Sequence, residues 1–174
     1  MTYVVVIRGP LGIGKTTVAT RLAEALGATV VSIDRILEEH DLEEWVDGYI
    51  SVESFVRANA WALRAAEEPL GRGAPVVVDG NFYWETQLRD LVDRLAHGSY
   101  VFTLVAPVEV CIERDRRRVH PLGEEAVHEV YAKATTFTWG TPVDAARALD
   151  DIVREILGHL PTGPGAAPVG SHSA

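Results

Sequence analysis

Gly9-Pro10-Leu11-Gly12-Ile13-Gly14-Lys15-Thr16 follows a short β-branched run, Tyr3 to Arg8, and precedes apolar residues at helical spacing, Val18, Leu22, Ala25 and Leu26. The stretch fits G-x-x-x-x-G-K-[ST] and lies between a predicted strand and a predicted helix, the context in which that spacing makes a phosphate-binding loop. Its glycines let main-chain N–H groups turn inward, and the helix that follows adds the positive end of its dipole. Gly9, Gly12, Ile13, Gly14, Lys15, Thr16 and Thr17 are therefore the candidate nucleotide-binding residues. Lys15 reaches the β and γ phosphates as a compact point charge, and the Thr16 hydroxyl is a candidate ligand for Mg2+. A turn that merely joined a strand to a helix would have no use for a lysine and a threonine at these offsets.

Outward from this loop the chain keeps alternating. Thr29 to Ile33 predicts a second strand, and Asp34 stands where it gives way to a helix over Arg35 to His40. Ser51 predicts an N-cap, with Glu53 in the first turn, for a helix whose buried face is Val52, Phe55, Val56, Asn59, Leu63 and Ala66. Gly71 to Pro75 breaks that helix, and Pro75 to Val78 is short enough for a strand covered on both faces, ending in Asp79. Trp84, Leu88, Leu91, Val92 and Leu95 make the next helical stripe, Tyr100 to Val105 the next strand, and Pro107 opens another helix. Glu124 to Thr136 reads as helix and Pro142 to Ala146 as a last strand. Asp150 is the expected cap of a final helix bearing Ile152, Val153, Ile156, Leu157 and Leu160. The pattern predicts a three-layer α/β/α sandwich around a five-stranded parallel sheet, one domain over residues 1–160. Residues 161–174 turn to Gly, Pro, Ala and Ser without periodicity and are expected to be a disordered tail.

The bulk properties narrow the function. A chain of 174 residues, 47% hydrophobic and 24% charged, supports one sizeable core. Its formal net charge of −9 opposes nonspecific attraction to phosphate backbones, so a small-molecule partner is favoured over nucleic acid. No apolar run approaches the roughly 20 residues of a membrane span. The single cysteine, Cys111, forms no intrachain disulfide, and no leader precedes the first strand, so a cytoplasmic location is expected. His120 and His128 have no metal-ligand spacing. Of the 16 basic residues only Lys15 and Lys133 are lysines. The guanidinium fork is too bulky and rigid for a loop that wraps its ligand closely, which explains the lysine at position 15.

On Gly9 to Thr17, Val31-Ser32-Ile33-Asp34, Val76-Val77-Val78-Asp79-Gly80 and Leu104 to Arg118, the chain resembles the P-loop kinases of small molecules. That group holds shikimate kinase, gluconate kinase, chloramphenicol phosphotransferase and zeta-toxin-like kinases. The resemblance covers Tyr3 to about Leu160 and implies a P-loop nucleoside-triphosphate fold of the nucleotide-kinase type, with ATP and Mg2+ as cofactors and a hydroxyl acceptor. It makes Asp34 the candidate base; the alternative is that Asp34 only caps the following helix. It makes Asp79 a candidate Mg2+ ligand at the C-terminal end of a strand; the alternative is a turn aspartate before Gly80. The rim Gly80-Asn81-Phe82-Tyr83-Trp84 suits an acceptor pocket or the core. The pattern of shikimate kinase would carry a second aspartate where this chain has Ser32, which argues against shikimate as acceptor.

Cys111-Ile112-Glu113-Arg114-Asp115-Arg116-Arg117-Arg118 resembles the lid of these kinases, placed around residues 114–124. Helical spacing puts Arg114, Arg117 and Arg118 on one side and turns Arg116 away. By resemblance Arg114 packs on the adenine and Arg118 reaches the γ-phosphate. A solvated basic face paired with Glu109 and Glu113 is the alternative. Trp45, Tyr49, Phe55, Arg57, Asn59 and Trp61 fall in the usual acceptor-binding region, although Phe55 and Asn59 share a face of the kind that more often builds a core. Two further functions stay open: a polynucleotide 5′-hydroxyl kinase, which needs a basic channel lined with aromatics, and a regulatory P-loop NTPase, for which no N-K-x-D sequence is present.

Overall fold

The computed structural model describes residues 2–161. The expected tail, Pro161 apart, lies outside the described residues. Fourteen elements follow in the order β1 Tyr3–Arg8, α1 Lys15–Leu26, β2 Thr29–Ser32, α2 Ile33–Glu39, β3 Trp45–Val46, β4 Tyr49–Ile50, α3 Val52–Gly71, β5 Val76–Gly80, α4 Glu85–Arg94, β6 Gly98–Val105, α5 Val108–Arg116, α6 Glu124–Ala134, β7 Thr141–Asp144 and α7 Leu149–His159.

Five strands pair in the order β2-β5-β1-β6-β7, all parallel. β1 is central, and the chain goes first to one side of it and then to the other. In such a sheet the crevice for ligands opens at the carboxyl ends of the strands, beside the point of reversal. β1 is buried along its whole length, and its two faces serve different cores. Val5 and Ile7 pack with α1, α5 and α7 residues such as Leu22, Cys111 and Ile156, whereas Val4 and Val6 pack with Phe55, Leu88 and Leu91 from α3 and α4. The period of two along a strand accounts for this division. Continuing the second face, the next residue is Arg8, and it is fully buried.

Arg8 replaces an apolar plug with a guanidinium that is hydrogen-bonded and stacked. It donates to the carbonyl oxygens of Ala134 (2.7 Å), Phe82 (3.3 Å) and Phe137 (3.4 Å) and to the Thr103 hydroxyl (3.2 Å), and lies 4.1 Å from the centre of the Phe137 ring. Burial lowers its pKa to about 10, so it remains charged at neutral pH. One side chain thus ties the end of β1 to the loop after β5 and to the end of α6.

Ser51 caps α3, accepting from the Ser54 main chain at 3.1 Å. The buried face of α3 differs from the expected one: Ser54, Ala58 and Ala62 are buried with Phe55, Asn59 and Ala66, while Val56 and Leu63 are half-buried. α3 lies against both α2 and α4, and small residues on the shared side let the helices approach. Ala148, not Asp150, occupies the N-cap of α7, and Asp150 sits in the first turn, where its charge still meets the helix dipole. A short hairpin, β3–β4, lies between α2 and α3 and was not expected from the sequence. No helix among the described residues is long and apolar enough to cross a membrane.

Candidate active site

The loop between β1 and α1 is shaped by two glycines. Gly14 is the N-cap of α1 at φ 101, a left-handed conformation that L side chains rarely adopt, and it lets the helix begin at Lys15. At Gly12, φ is 80, and an added Cβ would lie 2.3 Å from the carbonyl oxygen of Cys111. Helix α5 therefore rests directly on the loop. Gly9 faces the other way, toward Leu104, behind the loop.

The Lys15 ammonium is buried and donates to the Pro10 carbonyl at 2.9 Å and to Asn81 Oδ1 at 2.8 Å. The Thr16 hydroxyl donates to Asp79 Oδ2 at 2.7 Å. The other Asp79 oxygen is buried and has no hydrogen-bond partner. A buried carboxylate oxygen left open beside a threonine hydroxyl at the end of the phosphate loop is a donor set that fits Mg2+. Thr16 and Asp79 are the residues that would hold it.

Asp34 lies in the first turn of α2, and Ser32 occupies the N-cap, so the alternative, that Asp34 only caps this helix, does not hold. Its carboxyl and the Thr16 end of the loop line one cavity of about 340 Å3, within the range of small-ligand sites. Burial pushes the Asp34 carboxyl above the usual range. Lys15 opposes that, Asp79 adds to it, and the nearby Asn81 main-chain amide and Arg118 lower it. Burial likewise lowers Lys15, against the attraction of Asp34 and Asp79. Lys15, Asp34, Asp79 and Arg118 thus form one electrostatically coupled group.

Of the arginines, Arg114 and Arg118 line the cavity. Arg114 donates to the carbonyls of Ile13 (2.6 Å) and Ala145 (2.8 Å), bridging the loop and the segment after β7. Arg118 lies 3.6 Å from Asp115 Oδ1. Asp115 is itself buried, and its other oxygen accepts from the main chains of Leu122 and Gly123, both at 3.0 Å, folding the 117–123 connection back on α5. Arg117 does not join its neighbours as the helical spacing predicts. α5 ends at Arg116, and Arg117 pairs on the surface with Glu113 at 2.8 Å, while Arg116 pairs with Glu124 at 2.8 Å.

Ile13, Thr17 and Gly12 line the cavity as expected. Phe55 and Asn59 do not: both are buried, and Asn59 donates to the Gln87 carbonyl and to Asp90. Phe82 and Tyr83 are core as well. The cavity adds Arg147, Leu149 and Ile152, from the segment after β7 and from α7. Nothing in the sequence marks these, because their position is set by how α7 docks. Asn81 and Arg8 had local signals: a polar residue two places after Asp79, and a charge ending an apolar strand.

The model of the AAA domain family matches residues 4–136 of this chain. Shikimate kinase 2 of Salmonella typhimurium is 32% identical over 169 residues, spanning 88% of this chain and 89% of that protein. The tRNA dimethylallyltransferase of Desulfovibrio desulfuricans is 29% identical over 92% of this chain but only 52% of its own length, so the chain spans about half of that relative. A sugar kinase from Janibacter sp. superposes with a TM-score of 0.74 at 17% identity, covering 91% of this chain and 94% of that one. The chain belongs to the AAA domain family and to the P-loop kinases of small molecules.

Proposed function

We propose that this protein is a kinase that transfers the γ-phosphoryl group of ATP, with Mg2+, to a hydroxyl group of a small molecule. The observation that carries the reading is a carboxylate, Asp34, in the same cavity as the phosphate loop and three arginines, Arg114, Arg118 and Arg147. A protein that only binds or hydrolyses a nucleotide as a switch has no need of that carboxylate beside the γ-phosphate.

Each residue then has a chemical task. The loop and the N-terminus of α1 hold the phosphates, and the Lys15 charge draws the γ-phosphoryl oxygens into place. Thr16 and Asp79 would hold Mg2+, which would supply positive charge against that of the phosphates. Asp34 accepts the hydroxyl hydrogen of the acceptor, orients its oxygen toward phosphorus and takes the proton late, which suits a loose transition state. Arg118 offsets the charge that grows on the transferring group, and Arg114, with Arg147, Leu149 and Ile152, bounds the end of the cavity suited to the base.

A screen of hydroxyl acceptors for ADP release in the presence of ATP and Mg2+ tests the proposal. Sugars, sugar acids, hydroxylated antibiotics and 5′-hydroxyl oligonucleotides belong in the same panel. The expected result is release stimulated by a small acceptor and absent from Lys15→Ala. Stimulation by the oligonucleotides alone would replace this reading with the polynucleotide one, and nucleotide binding without stimulation by any acceptor would favour a switch.

A further inference from the structure

The loop after β5 carries more order than a connection needs. Gly80 is so close to α2 that an added Cβ would lie 2.9 Å from the Ile33 Cβ. Phe82, two residues on, has φ 45, a conformation that strains a bulky L residue. It persists because its ring is fully buried and its carbonyl accepts from Arg8. Such strain persists only where the surroundings over-determine it, and it clusters at functional sites. Between these fixed points stands Asn81.

The Asn81 side chain has a defined orientation. An ammonium group can only donate, so the carboxamide end 2.8 Å from Lys15 Nζ is the oxygen. The –NH2 end therefore points elsewhere, and it has no hydrogen-bond partner among the described residues. Asn81 is partly exposed, and its main-chain amide acts on the Asp34 carboxyl. Two of the three Lys15 hydrogens are used by Pro10 and Asn81, which leaves one for a phosphate. The residue that carries these free amide donors thus touches the lysine that meets the γ-phosphate through its Oδ1 and acts on the carboxylate that meets the acceptor through its main chain.

We propose that Asn81 is a further catalytic residue, whose carboxamide oxygen fixes the Lys15 ammonium while its –NH2 donates to an oxygen of the transferring γ-phosphoryl group. This rests on the kinase reading and adds to it a contact made with ATP and not with ADP. No covalent change occurs at Asn81.

The preference for Mg·ATP over Mg·ADP, measured by calorimetric titration of the full chain with each nucleotide, tests this without any acceptor. Asn81→Asp keeps the size and an oxygen for Lys15 but sets a negative charge where the donor was. Asn81→Ala removes both ends and serves if the aspartate variant does not fold. The expected result is a melting temperature near that of the parent and an ATP-over-ADP preference lower by about tenfold or more, the scale of one hydrogen bond to a charged group. A merely structural role would weaken both nucleotides alike. If the parent prefers ATP and the folded variants prefer it equally, the role of Asn81 is overturned and the kinase reading stands. If the parent binds neither nucleotide, the kinase reading falls and the role of Asn81 with it.

Discussion

In the free protein the Asp34 carboxyl is raised by burial in spite of the nearby Lys15 and Arg118 charges. The sign of the linkage follows. A carboxyl that holds its proton more tightly when folded than when unfolded costs stability once it is ionised, and that cost is gone below both values. Asp34→Asn is therefore expected to melt no lower than the parent at neutral pH, and the two are expected to converge as the pH falls through the raised value. Turnover should nevertheless drop on the order of a hundredfold, the scale of a positioned acid or base. Melting curves and ADP release across pH on the same preparation check both, and turnover within a few fold of the parent would remove Asp34 as the base. The acid limb of the parent's own rate profile should lie above the ordinary aspartate range. The arginines divide in the same manner. Arg118→Ala is expected to lower kcat more than ATP affinity, because its charge acts on the transferring group, and Arg117→Ala is expected to change neither, since its exposed pair with Glu113 contributes little. Steady-state kinetics beside nucleotide titration would show whether the two residues part.

The contact between α5 and the phosphate loop leaves no room at Gly12, and a close contact of another kind exists at Gly140. There φ is 69, and an added Cβ would come within 2.0 Å of the Val101 carbonyl oxygen, between β6 and the segment before β7. Gly12→Ala is expected to weaken ATP binding by more than tenfold as well as lowering the melting temperature, since the clash displaces the loop itself. Gly140→Ala should lower the melting temperature while the ATP affinity of the folded fraction stays near that of the parent. Equal effects of both on ATP affinity would mean that α5 does not position the loop. At this level the sequence was legible where elements follow local rules. The five strands, the Ser51 cap and the P-loop context could be read because periodicity and capping are local. The hairpin was missed although Asp47-Gly48 is a turn signal. Both residues have positive φ, 52 and 80, as a tight two-residue turn requires, but two-residue strands give too little alternation to draw notice. The buried face of α3 was misjudged for a different reason. Its choice of Ala58 and Ala62 over Val56 and Leu63 depends on where two other helices lie, which no single helical stripe records. The end of α5 at Arg116, which separates Arg117 from the cavity, is set in part by Asp115 folding the following segment back, a contact across seven and eight residues.

Across the whole molecule, the nucleotide is expected to act as a structural ligand, because its cavity draws on the β1–α1 loop, α1, α2, α5, the segment between β7 and α7, and α7 at once. A ligand that binds only the folded state at about 100 times its Kd adds about 2.7 kcal/mol. ATP with Mg2+ should raise the melting temperature by several degrees, chelation of the metal should reduce the gain, and Lys15→Ala should lose most of it with its own ligand-free melting temperature intact. A thermal shift series in which Lys15→Ala gains as much as the parent would disconnect the loop from binding. The buried guanidinium of Arg8 bears on a different question, the relation between what is inherited and what folds. The match to the family model ends at residue 136, yet the Phe137 ring that covers Arg8, the Ala145 carbonyl that receives Arg114, and the Leu149 and Ile152 side chains of the cavity all come afterwards. A fragment of residues 4–136 would keep every recognisable motif and lose the strand that closes one edge of the sheet. It would also open to water a positive charge that the intact core keeps covered. Circular dichroism of that fragment is expected to show no cooperative melting, so the piece by which the family is recognised is smaller than the piece that carries the shape.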